Sequence, residues 1–110
     1  MISYKAAVIE AIGETEIKSA STYMLITMGA EIDRLRESIV ESSRCMAERF
    51  ARYATDLNAG QAWTPPTGNS ALRDIERDSA ALSALCEQLP RLVLAILGED
   101  GIAAFRAALA

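Results

Sequence analysis

Apolar residues return at every third or fourth position through much of the chain. The longest series is Leu25, Met28, Ile32, Leu35, Ile39, Ser43, Met46, Phe50, Tyr53 and Leu57. At 100° per residue these ten positions share a wedge of roughly 80°, the mark of an amphipathic helix. Only Ser43 is out of character. The opposite face carries Asp33, Arg34, Glu37, Glu41, Arg44, Glu48 and Arg52, with Arg44–Glu48 and Glu48–Arg52 spaced as i,i+4 ion pairs. The spacing predicts a helix over about 15–57, capped by Thr15, with Glu14 and Glu16 suited to its positive end. At 1.5 Å per residue it would be roughly 60 Å long.

The second half of the chain repeats with a strict heptad. Leu72, Ser79, Cys86 and Val93 take one seam position, and Ile75, Leu82, Leu89 and Ile96 take the other. A period of 3.5 is that of left-handed helix packing. This predicts a helix over 70–97, capped by Asn69 or Ser70 and kinked at Pro90, which removes a backbone donor. Between the long helices, Asn58 and Gly60 form a stop, and the stretch around Trp63, Pro65 and Pro66 reads as a loop. Short helices are expected at 3–12, between Ser3 and Gly13, and at 101–109 after a turn at 98–101. The chain is therefore read as one all-α domain over 1–110, a long antiparallel helical hairpin with short N- and C-terminal helices.

Two blocks, Tyr23–Ala30 and Leu92–Leu97, are apolar on nearly every side. A helix of that kind is usually buried on more than one side. In an antiparallel hairpin both blocks lie at the end away from Trp63. That end calls for a cover, either the terminal helices or a second subunit that completes a four-helix bundle by dimerisation. Tyr23, Ile26, Ala30, Leu92 and Leu94 are the expected interface. Trp63 is read either as a plug for the open end or as an anchor for a partner.

Composition narrows the chemistry. The chain has 110 residues, of which 51% are apolar, and a formal charge of −4. Its arginines are interleaved with acids, so it lacks the clustered basic footprint that nucleic-acid binding needs. There is no histidine, which removes the commonest neutral-pH acid/base group and metal ligand. The acids do not fall on the inner stripe, which argues against a carboxylate metal centre, and no cofactor is expected. Cys45 and Cys86 are isolated and read as free thiols in a reducing compartment. Glu10 interrupts the N-terminal apolar run too early for a signal-peptide core, and no apolar run approaches a membrane span. The expected location is cytoplasmic.

Arg36 and Arg49 border the long stripe, where a guanidinium could hold a carboxylate or phosphate. Ser43 and Ser79 interrupt the two seams. If these four residues faced one interior they would line a small anion-accepting site. The reading that follows is a small helical interaction or oligomerisation module, a homodimer or a subunit of a helical assembly, rather than an enzyme. The alternative is a small-ligand binder or enzyme subunit built on Arg36, Ser43, Arg49 and Ser79.

Overall fold

The computed structural model describes residues 3–13, 19–58, 60 and 70–110. They form helices only: α1 (Tyr4–Ile12), α2 (Ala20–Asn58) and α3 (Ser70–Leu109). Thr15, expected as a cap, Asn69, and the Trp63 loop lie outside the described residues.

α1 begins where Ser3 turns extended and its hydroxyl accepts the Ala6 N–H at 3.1 Å. It ends at Gly13, whose φ of 79° only glycine adopts freely and whose N–H donates to the Ile9 carbonyl. α2 begins at Ala20, with the Ser19 hydroxyl accepting the Thr22 N–H at 3.2 Å. Along its wet face Arg34 pairs with Glu31 at 2.5 Å, and Arg44 bridges Glu41 and Glu48.

α3 contains Pro90 in its interior, yet the only residue there outside helical dihedrals is Gly98, at φ 77° and ψ −169°. The turn expected over four residues is therefore made by one. Helix resumes at once, and the terminal stretch doubles as a cover, bringing Phe105 to 6.3 Å from the Tyr4 ring.

Two contacts fix the direction of the hairpin. Ser38 of α2 donates to Asp78 of α3 at 2.7 Å. Nearer the other end, Asp33 of α2 and Cys86 of α3 both flank Tyr4. As numbers rise along α2 they fall along α3, so the two helices are antiparallel.

Among the described residues the core lies at one end of a molecule 63 Å long and about 20 Å across. Ala7, Val8 and Ile12 of α1, Leu25 and Ile32 of α2, and Leu89, Val93, Ile102 and Phe105 of α3 form one cluster. Leu35 is the last buried described residue of α2, and on the N-terminal side of Leu89 the only buried described residue of α3 is Asp78. Burying a large aliphatic or aromatic side chain contributes about 1.5–3 kcal/mol. The folding energy is thus concentrated in the half where α1 and the stretch after Gly98 complete four layers of helix. The apolar blocks Tyr23–Ala30 and Leu92–Leu97 lie in that half, and the chain's own termini provide much of their cover.

Candidate interaction surface

α1 is seated through backbone as well as side chains. The Asp33 carboxylate accepts the Tyr4 N–H at 2.9 Å and the Lys5 N–H at 3.1 Å, two of the four donors that a helix start leaves unpaired. Gly29, one turn earlier on α2, is buried beneath this point. A Cβ there would stand 3.0 Å from the Lys5 Cα, the Lys5 N and the Tyr4 O. The pair of residues lets one helix approach the other closely and then holds its end. Above them, the Arg36 guanidinium lies 5.7 Å from the Tyr4 ring centre, within cation–π range. Burial, then the neighbouring Cys86 thiol, push Tyr4 above the ordinary phenol value, against the pull of Arg36.

The groove between α2 and α3 that α1 fills continues beyond α1's first residues. Val40 and Ala47 follow Gly29 by about three and five turns at 3.6 residues per turn, so they lie on the line that α1 occupies. Phe50 stands about five turns beyond Ile32 and Leu57 about seven, on the core side. On α3, Leu72 and Ser79 precede Cys86, the residue that touches Tyr4, by two heptads and one. Val40 is 68% exposed, Phe50 57%, Leu57 50% and Leu72 42%. In the half that α1 does not reach, these four side chains are exposed while Ile39, Met46, Tyr53, Ile75 and Leu82 stay half-buried.

Asp78 closes the boundary between the halves. It is 4% exposed, accepts the Ser38 hydroxyl, and lies 3.4 Å from Arg77 Nε. The hydrogen bond from Ser38, then Arg77, hold its carboxyl below the usual aspartate range. Buried acids survive when hydrogen-bonded in this way. This polar tie pins the two helices where the apolar core stops.

Of the four residues expected to line an anion site, Arg36 and Arg49 stand 13 positions apart on α2, about 20 Å at 1.5 Å per residue. Arg36 is half-buried against Tyr4, Ser79 is half-buried, and Ser43 and Arg49 are exposed. Of the residues expected at an interface, Ile26 and Leu92 pack against the core, Ala30 is half-buried, and Tyr23 and Leu94 remain exposed at 57% and 44%. Trp63 lies outside the described residues. The open groove was missed because Val40 falls outside the ten-residue stripe. The signal was present in the spacing from Gly29, whose role as a seat for α1 had to be known first.

Among the described residues no group of three acids or cysteines is placed to hold a metal ion. No helix there is long and apolar enough to cross a membrane. No protein-family model, curated protein or solved structure matches the chain.

Proposed function

We propose that this chain is a helical protein-interaction module whose binding surface is the open half of the α2–α3 groove. The observation that carries the reading is the row of exposed apolar side chains, Val40, Phe50, Leu57 and Leu72, on the faces that are buried core in the other half. Apolar side chains left exposed on faces that are core elsewhere favour association. One half of the molecule supplies a folded base and the other presents two helices to a third and fourth.

Replacing Val40 or Phe50 with Asp is the test. Both side chains are more than half exposed, so the variants should keep their helicity and lose about 0.5 kcal/mol of stability or less. They should also lose the associations of the chain. Self-association is read by light scattering at micromolar concentration, and hetero-association by stoichiometric co-purification with the tagged chain. A chain that stays monomeric and retains no stoichiometric protein, or that keeps its associations in both variants, would overturn the reading.

A further inference from the structure

Resting on that reading, we infer that the occupant of the open groove is a second copy of this chain, reversed end to end. Each copy then lays its open half on the open half of the other.

The dimensions fit such an occupant. The open stretch of α2, from Arg36 to Asn58, is about 34 Å long at 1.5 Å per residue. With a face about 20 Å across, it offers on the order of 700 Å², close to the roughly 800 Å² per partner of a standard interface. A single helix, about 10 Å in diameter, would cover only half that width. A two-helix partner covers all of it, and this chain presents such a partner. Charge allows the match as well. Between Arg36 and Asp56, α2 carries four arginines and four acids, and five of these, Glu37, Glu41, Arg44, Glu48 and Arg52, lie on the face away from the apolar stripe, so they stay in water when two copies meet. α1 limits the overlap because its first turn, held by Asp33, stands where the tip of the other hairpin would arrive. The dimer keeps four helices in cross-section from end to end: α1 and the stretch after Gly98 complete each outer part, and the second copy completes the middle.

This arrangement is a rod of about 90 Å, two 63 Å molecules overlapping by the open stretch. A side-by-side dimer with both tips at one end would stay close to 63 Å long. Light scattering with small-angle X-ray scattering on the full chain measures both mass and maximum dimension. The expected result is a dimer of about 90 Å that becomes monomeric in Phe50→Asp, stays dimeric in Leu94→Asp, and keeps the same circular dichroism throughout. Ala47→Cys in a Cys45→Ala background should cross-link to its mate under mild oxidation, and Leu94→Cys should not, which tests the geometry without weakening the interface. A dimer near 63 Å, or one lost in Leu94→Asp and kept in Phe50→Asp, would overturn the reversed overlap. A monomer at 100 μM would overturn it too. If that monomer retained another protein in stoichiometric amount through Phe50, the interaction module would stand while the second copy fell.

Discussion

The seat of α1 gives a prediction in which two well-known effects oppose each other. In an isolated helix, Gly29→Ala would stabilise by about 1 kcal/mol, because alanine loses less backbone freedom. Here the added Cβ meets the Lys5 Cα, the Lys5 N and the Tyr4 O at 3.0 Å. All three are backbone atoms, so none can swing away as a side-chain tip would. α1 would have to move off by a few tenths of an ångström while Asp33 holds its first two N–H groups. Overpacking of this kind costs about 1–3 kcal/mol. The clash outweighs the propensity gain, and the net loss should be about 1 kcal/mol. For a domain of this size that lowers Tm by about 4 °C. Thermal melts followed by circular dichroism read it directly. Asp33→Ala alone should cost about 1 kcal/mol, as loss of a helix cap does. The double variant should fall short of the sum, since both changes loosen the same turn. A rise in Tm for Gly29→Ala would refute the reasoning, because it would mean that the α1 backbone does not rest on this glycine.

Three further outcomes follow from the core and its boundary. Phe105→Ala should cost about 3–5 kcal/mol by chemical denaturation, because Phe105 is fully buried and its loss leaves a cavity between α1 and the stretch after Gly98. Tyr4 has a raised folded-state pKa, so its contribution is complete below about pH 10 and is lost as pH rises through the folded value. Tyr4→Phe should therefore flatten the alkaline end of the stability curve. Asp78 has a lowered folded-state pKa, so its contribution is present above about pH 4 and disappears as pH falls through the folded value. Ser38→Ala should be less stable than the parent at pH 7, and the gap should narrow below pH 4. An unchanged gap would mean that the Ser38 hydroxyl does not hold the carboxylate.

Much of this architecture follows from spacing. The 3.6-residue stripe marks α2, the heptad marks α3, and Ser3 and Gly13 bracket α1 because one hydroxyl accepts a first-turn donor and one glycine takes a left-handed turn. Residues that act between helices were harder to read. Asp33 sits on the charged face of α2 by periodicity, yet it caps a different helix. Gly29 lies within an apolar block, yet a Cβ there would meet the α1 backbone at 3.0 Å. Asp78 stood beside a seam serine with nothing to mark it, because its partner Ser38 is 40 residues away. The single-residue turn at Gly98 was hidden among four turn-forming residues. Periodicity assigns a residue to a face of its own helix, and it carries no information about which end of another helix arrives there.

The same limit explains Ser43, the misfit of the long stripe. Read as a core position it calls for a partner or a cavity. In the structure it is exposed, because the core has already ended at Leu35. A stripe of constant period thus runs through two environments, buried near its start and, beyond Leu35, alternating between half-buried Ile39, Met46 and Tyr53 and exposed Phe50 and Leu57. Exposed Phe, Leu and Val lower solubility, so an apolar face left open favours a cover. α1 is nine residues long and cannot reach the remainder. The length of α2 relative to α1 therefore sets how much of the apolar face α1 leaves uncovered. If the proposed dimer forms through this face, a chain whose α1 is extended over Val40 should remain monomeric by light scattering.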